Sequence, residues 1–422
     1  MSDRGAATSA VGPGGSEAAL AALLADAHLA PPHELPGLID TCARALGSRG
    51  AVAYLVDLQQ QVLVPFLSQD GPGEGSQLTP LDVDSTLAGR AYQTFEVQIQ
   101  DVGIEGARVW LPLLVGTDRL GVLSVVVTDS DTLTEQGGLL SILLARLAPI
   151  TAELLDSKSP YGDTLIRLRR RTEMGLAAEI QWSLLPPLTF ASRPVTVAAA
   201  LEPAYNVAGD TIDYAVDAGR TRAAIFDVMG HGLHSAQCAV LAVAAYRNAR
   251  RSSRSLIETL ASIDDALLAG LGGDVYTTAV LAELDTETGL LQWVNAGHPE
   301  PLLLRGGKLI KTLHVEHSPP LGLGELSDTD PVPVGHEQLE PGDRILLYTD
   351  GVTEARSPSG EFFGVDRLAD LIIRHLAGGL PAPETMRRVV RELLDHHQDQ
   401  LSDDASLLML EWRSGNEQAL TS

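Results

Sequence analysis

Four aspartate positions constrain this chain more than any other feature, because each stands at the end of an apolar run where a structural residue would be aliphatic. Asp227 ends the run 223–226 and opens Asp227-Val228-Met229-Gly230-His231-Gly232, and Asp350 ends the run 345–349 and opens Asp350-Gly351-Val352-Thr353-Glu354-Ala355. Asp210 lies in Val207-Ala208-Gly209-Asp210-Thr211-Ile212-Asp213, while Asp403 and Asp404 directly precede the run 405–410. A single aspartate after a strand is commonly a turn or helix-capping residue. Gathered together without basic partners nearby in sequence, such carboxylates would repel one another, a cost avoided if they share divalent cations. Hard oxygen donors with no Cys or His pair at zinc spacing favour Mg²⁺ or Mn²⁺ over Zn²⁺.

The segments around these aspartates alternate between two periodicities. Strands are expected at 195–201, 211–216, 221–228, 277–284, 290–295, 301–304, 344–348 and 407–412, and helices at 233–250, 256–271, 366–376 and 384–398. Residues 284–290, with Asp285 and Gly289, read as a hairpin turn, so the sheets are at least partly antiparallel and the domain is α+β rather than doubly wound.

A chain of 422 residues exceeds one ordinary core. The front part shows helical spacing over 18–29 and 35–46, strand-like runs at 51–58, 61–67, 97–100, 108–114 and 121–128, and a return to helix from Leu133, apolar nearly all round over 139–155. Pro160 and Gly162 mark a boundary. Beyond it, Leu165, Leu168, Leu176, Ile180 and Leu184 keep a loose apolar stripe beside Arg167, Arg169, Arg170 and Arg171, up to Pro186 and Pro187. That stripe fits either a solvated helix or a connector that pairs two copies of the chain. The expected organisation is a loose arm (1–16), a first domain (17–156), a helical linker (157–187), a second domain (188–413) and a tail (414–422).

Charge and cysteine usage narrow the setting. A formal net charge of −25 opposes a nucleic-acid backbone as partner. Cys42 and Cys238, far apart in Ala-rich helical surroundings, read as buried free thiols in a reducing, cytoplasmic compartment. No basic-plus-apolar leader is apparent, and the run 111–127 is broken by Gly116, Asp118 and Arg119, so no membrane span is expected.

From about residue 177 to 411 the chain resembles the SpoIIE/RsbU branch of the metal-dependent, type 2C (PPM) protein phosphatases. The resemblance rests on Gln181-Trp182-Ser183-Leu184-Leu185-Pro186, the segments around Asp210 and Asp227, Asn295-Ala296-Gly297-His298-Pro299, Leu339-Glu340-Pro341-Gly342-Asp343 leading to Asp350-Gly351, and Asp403-Asp404, in the family's order. The front part is similar to a GAF sensory domain through Ser85-Thr86-Leu87-Ala88-Gly89-Arg90, Leu111-Pro112-Leu113 and Leu120-Gly121-Val122-Leu123. The resemblance implies a C-terminal α-β-β-α sandwich behind an α/β GAF-like domain that takes an unknown small-molecule ligand. It implies two Mn²⁺ or Mg²⁺ ions, with Asp227 bridging them, the Val228 carbonyl on one, Asp350 and Asp403 on the other, and Asp210 completing the site directly or through water. Asp404 is the less favoured neighbour of Asp403. The implied reaction is in-line attack of solvent on a phosphoserine or phosphothreonine protein, in this branch typically a phosphorylated anti-sigma-factor antagonist.

Several residues depart from the family pattern. Ala208 replaces a glycine, Thr211 and Ile212 stand where aromatics are common, Met229 stands at a candidate general-acid histidine, and Tyr205 stands at a phosphate-binding arginine. His231 is assigned a structural role. These departures motivate an alternative in which the fold serves as a regulatory scaffold without catalysis.

Overall fold

The computed structural model describes residues 13–68, 78–103, 106–128, 131–133, 135–202, 205, 209–326, 331–397 and 403–413. The chain divides into two compact units, Met1–Arg171 and Thr172–Ser422.

The first unit contains α1 (Pro13–Leu29), α2 (Leu35–Ala45), β1 (Gly50–Val56), β2 (Val62–Phe66), β3 (Leu81–Asp82), α3 (Leu87–Thr94), β4 (Gln98–Asp101), β5 (Ala107–Val115), β6 (Asp118–Val127), α4 (Glu135–Lys158) and α5 (Thr164–Arg169). Its strands form one antiparallel sheet in the order β3-β2-β1-β6-β5-β4. Strand alternation divides the sheet's side chains. Ala51, Ala53, Leu55, Leu123 and Val125 bury against α1, α2 and α4, while Tyr54, Val56, Trp110 and Val122 pack with α3 on the opposite face. This sheet with helices is consistent with the GAF-like expectation. The stretch Gly138–Tyr161, most of α4 and the turn after it, is long and apolar enough, by length and composition, to cross a bilayer. Its Leu143, Leu144, Leu147, Ala152 and Leu155 instead enter the core of this unit.

Two expectations for the front half are corrected. The first helix begins at Pro13, inside the supposed loose arm, and Ser16 and Leu20 are already buried; residues 1–12 and 414–422 lie outside the described residues. The linker is not one helix from 165 to 184. It breaks after α5 and resumes as α6 (Leu176–Leu184), and the division between units falls inside the break. The break has local causes: Arg169 donates from Nε to the Val56 carbonyl at 3.0 Å, its own carbonyl accepts from Leu58 N–H at 3.0 Å, and Arg171 approaches the buried Asp57 at 3.9 Å. Those bonds hold the arginine cluster to the first sheet instead of continuing the helix.

The second unit continues after α6 with β7 (Thr189–Ala191), β8 (Val195–Glu202), β9 (Thr211–Asp217), β10 (Arg220–Val228), α7 (Leu233–Arg251), α8 (Leu256–Leu271), β11 (Thr277–Asp285), β12 (Leu290–Ala296), β13 (Leu302–Arg305), β14 (Lys308–Thr312), β15 (Gly335–Gln338), β16 (Arg344–Tyr348), α9 (Asp350–Thr353), α10 (Val365–Ala377), α11 (Ala382–His397) and β17 (Ala405–Trp412). Two antiparallel sheets form, in the orders β15-β12-β11-β10-β9 and β14-β13-β16-β17-β8-β7. Ala223, Ile225, Val280 and Trp293 of one sheet share a core with Val197, Ile345, Leu408 and Leu410 of the other. The alternate residues Ala224, Phe226 and Leu281 pack on α7 and α8, and Leu346, Leu407 and Met409 pack on α10 and α11. The result is an α-β-β-α sandwich. Because both faces of each central strand are buried, β10, β16 and β17 read in sequence as nearly unbroken apolar runs.

Candidate metal centre

Three chain segments bring the aspartates together. β10 pairs with β9 as far as Phe226 and with β11 as far as Val228, so Asp227, opposite Thr278, lies just past the end of the β9 pairing. Met229 N–H continues the β11 side by donating to Tyr276 O at 3.1 Å, and the Thr277 hydroxyl donates to the Asp227 carbonyl at 2.8 Å, fixing the peptide that carries the carboxylate. Asp350 starts α9 directly after β16, and Asp403 and Asp404 lie at the entry to β17, the neighbour of β16. Asp350 and Asp403 are therefore neighbours by sheet topology, and Asp227 reaches them from the other sheet.

The electrostatics record this approach. Asp227 is pushed up to about 7, by burial first and then by Asp350, Asp403 and Asp404, so every influence on it disfavours its charge. Asp350 is raised by burial, Asp403 and Glu354. Asp210 is raised well above the carboxylate range by burial, Asp227 and Asp404. Like charges held together in a protein interior destabilise the charged forms unless a cation offsets them.

Two glycines make the approach possible. A Cβ at Gly351 would lie 1.9 Å from the Asp404 carbonyl oxygen, and one at Gly209 would lie 2.5 Å from the Val228 carbonyl oxygen. Only glycine allows backbones this close. Ala208, in the same turn, lies outside the described residues.

Asp404, the less favoured neighbour of Asp403 in the sequence reading, is engaged with the backbone. Its buried Oδ2 accepts the backbone N–H groups of Gly209 at 2.7 Å and Asp210 at 3.3 Å, tying the turn before β9 to the entry of β17. The neighbouring Asp403 is exposed. Asp210 is 2% exposed and its Oδ2 accepts the Thr349 hydroxyl at 2.7 Å, while Thr349 Oγ1 also accepts Ser406 N–H at 2.9 Å. Asp213, three residues after Asp210, faces elsewhere: it pairs with Arg247 at 2.8 Å and Arg250 at 3.5 Å. Tyr205 is buried, His231 is exposed and Met229 is 42% exposed.

The Asn295–Pro299 segment had no role assigned from sequence, and its role is architectural. Asn295 accepts His298 N–H and donates to its carbonyl, both at 2.8 Å, across a turn in which Gly297 adopts φ +68°. The buried His298 imidazole places Nδ1 2.8 Å from the Thr278 hydroxyl, beside the strand position opposite Asp227. Burial lowers His298 to about 3, against an opposing interaction with the Tyr348 backbone, so it is neutral. Glu354 is the acidic neighbour that sequence reasoning overlooked; its position four residues after Asp350, capping the end of α9, was the available signal.

The donor set consists of carboxylates, the chemistry of a hard divalent cation. Among the described residues no three carboxylate, imidazole or thiol groups already converge on one point.

The family model described as Stage II sporulation protein E (SpoIIE) matches residues 217–413. The matched residues fall within the second unit, which is similar to a SpoIIE-family phosphatase domain. Phosphoserine phosphatase RsbU of Bacillus subtilis (strain 168) is 27% identical over 240 residues, 57% of this chain and 70% of that one. Phosphoserine phosphatase RsbP of the same organism is 30% identical over 210 residues, 48% of this chain and 50% of that one, so the match spans half of RsbP. Among solved structures, the SiaA-PP2C domain of Pseudomonas aeruginosa is similar at 24% identity and a TM-score of 0.46, over 56% of this chain and 94% of that one. Within the matched region, Asp227, Asp350, Asp403 and Asp404 are brought into electrostatic contact.

Proposed function

We propose that this chain is a metal-dependent protein serine/threonine phosphatase of the cytoplasm, acting on a phosphorylated protein of the anti-sigma-factor-antagonist type under control of its first unit. The observation that carries the reading is that Asp350, Asp403 and Asp404 all act electrostatically on the buried Asp227, with no basic group among the influences on it. Asp227, the Val228 carbonyl, Asp350 and Asp403 would hold two divalent cations, Mg²⁺ or Mn²⁺, with Asp210 at their buried edge. Such ions supply activation of water and neutralisation of phosphoryl charge.

The chain's own residues do the positioning. Asp404 and Gly209 fix the turn that presents Asp210, and Thr349 holds the Asp210 carboxylate toward β17. Gly351 lets Asp350 sit against the Asp404 backbone. With Tyr205 buried where an arginine was expected, phosphate recognition rests on the cation centre. Solvent is the nucleophile in this reading, and no side chain need be phosphorylated.

The test is phosphate release from a phosphothreonine peptide by the full chain with Mn²⁺, with EDTA, and in Asp227→Asn. Activity that requires metal and is lost in the variant supports the reading. Absence of both turnover and Mn²⁺ binding at millimolar metal would replace it with the scaffold alternative.

A further inference from the structure

Outside the carboxylate centre, the concave site with the most distinctive chemistry lies in the first unit. A cavity of about 390 Å³ opens over the end of the sheet where β1, β6 and β5 run side by side. The register explains why space exists there. Arg108 on β5 lies opposite Val126 on β6, and Val126 lies opposite Gly50 on β1, so the third position in that row has no side chain. A Cβ on Gly50 would come within 2.8 Å of the Arg44 guanidinium.

The lining is basic in a chain of net charge −25. Arg44, Arg49 and Arg108 contribute three guanidinium groups, against the single carboxylate of Asp40, which is committed to Arg44 at 2.8 Å and to the Ala51 N–H at 2.8 Å. Arg108 has no carboxylate partner among the described residues. Its guanidinium lies 5.5 Å from the Trp110 ring centroid, and its buried Nε has no hydrogen-bond partner. Leaving a buried guanidinium N–H unpaired is costly, and a bidentate anion is the group that best satisfies it. The remaining walls are mainly apolar or aromatic, Val52, Tyr54, Leu78 and Val126 among them, with the Ser124 side chain beside them.

We propose that this cavity binds a small organic anion, its carboxylate or phosphonate-like head taken by Arg108 with Arg44 or Arg49, and its flat apolar body lying between Val52, Tyr54 and Val126. The volume is within the range of small-molecule sites. Guanidinium groups supply the head's orientation, and the apolar walls select an anion that carries a body over bare phosphate or chloride.

The test uses the full chain and three probes: phenylacetate, the non-hydrolysable phenylphosphonate, and inorganic phosphate, with the neutral phenylacetamide as control. Arginine labelling by phenylglyoxal is read by mass spectrometry at Arg108 and at the exposed Arg146. Protection of Arg108 of roughly tenfold by either aromatic anion, with none by phenylacetamide and no change at Arg146, is the expected result. Loss of calorimetric binding in Arg108→Gln completes it, and the labelling arm stands on the wild-type chain if that variant fails to fold. No protection at about 10 mM of either aromatic anion overturns the proposal. Equal protection by inorganic phosphate, or unchanged affinity in Arg108→Gln, overturns it as well.

Discussion

Replacing His298 by glutamine should remove a defined part of the acid sensitivity of the second unit. The imidazole is 1% exposed and burial lowers it from 6.5 to about 3, so the native state keeps it neutral where the unfolded chain protonates it. With a folded value below the unfolded one, the stability this group contributes is complete above pH 6.5 and is lost progressively as pH falls from 6.5 toward 3. At about pH 5 the gap is roughly 1.5 units, and at ~1.4 kcal/mol per unit the native state has lost about 2 kcal/mol. Because pH 5 lies well above the folded value, this magnitude is set by the unfolded one. The raised carboxylates Asp210, Asp227 and Asp350 titrate in the opposite sense, but they do so in both proteins and cancel in the comparison. Glutamine cannot titrate and retains a group able to reach the Thr278 hydroxyl, so its cost at about pH 7.5 should be on the order of 1 kcal/mol. The assay is urea unfolding of metal-free protein at the two pH values, followed by fluorescence in a Trp110→Phe background so that the signal comes from the second unit. The wild-type stability difference between the two pH values should exceed that of His298→Gln by about 2 kcal/mol. An identical pH dependence in the two proteins would refute the assignment of a neutral buried imidazole.

Gly351→Ala, whose new methyl would fall on the Asp404 carbonyl, should displace the Asp350–Asp404 approach and lower metal-dependent phosphate release by on the order of a hundredfold, measured with saturating Mn²⁺. In EDTA, Asp227→Asn should melt higher than wild type because it removes a carboxylate opposed by three others, by roughly 2–4 °C for each kcal/mol of repulsion relieved; a lower melting temperature would contradict the repulsion argument. Asp213→Asn should destabilise the second unit by about 2–4 kcal/mol, since it leaves Arg247 without its buried counter-charge, as read from its urea midpoint. Cys238, buried and pushed up to about 12, should resist aromatic disulfide reagents in the native protein and react only on unfolding.

The sandwich was largely legible in the sequence because its central strands are covered on both sides. The span 344–348 was read with its observed ends, and the hairpin turn at 284–290 joins β11 to β12. The strands at Lys308–Thr312 and Gly335–Gln338 were missed because they are short edge strands with polar, partly exposed side chains, and local pattern carries little signal there. At the site, sequence identified which aspartates end apolar runs but not how the chain uses each. Asp404 differs from Asp403 only in which way it faces, and that is decided by Gly209, nearly two hundred residues earlier in the chain. Asp213 shares a strand with the first motif, yet its carboxylate belongs to Arg247 on a helix. The broken linker was hidden for a similar reason: bonds from Leu58 and to Val56, remote in sequence, end α5 where the local apolar stripe would continue.

Arg247 has a consequence for dissecting the chain. Besides holding Asp213, its Nη2 donates to the Leu184 carbonyl at 2.5 Å, while Ala178 of the same helix packs on Leu201 and Gly175 N–H donates to Tyr205 O at 3.2 Å. α6 is thus the first tile of the catalytic half, and a cut at Pro187, where the strands begin, would tear it away. The strand that leads out of Asp210 would then rest on an arginine that has lost one of its three acceptors. A fragment begun at Thr172 keeps that tile in place, so the two cuts, fifteen residues apart, should yield proteins of visibly different solubility and exchange behaviour.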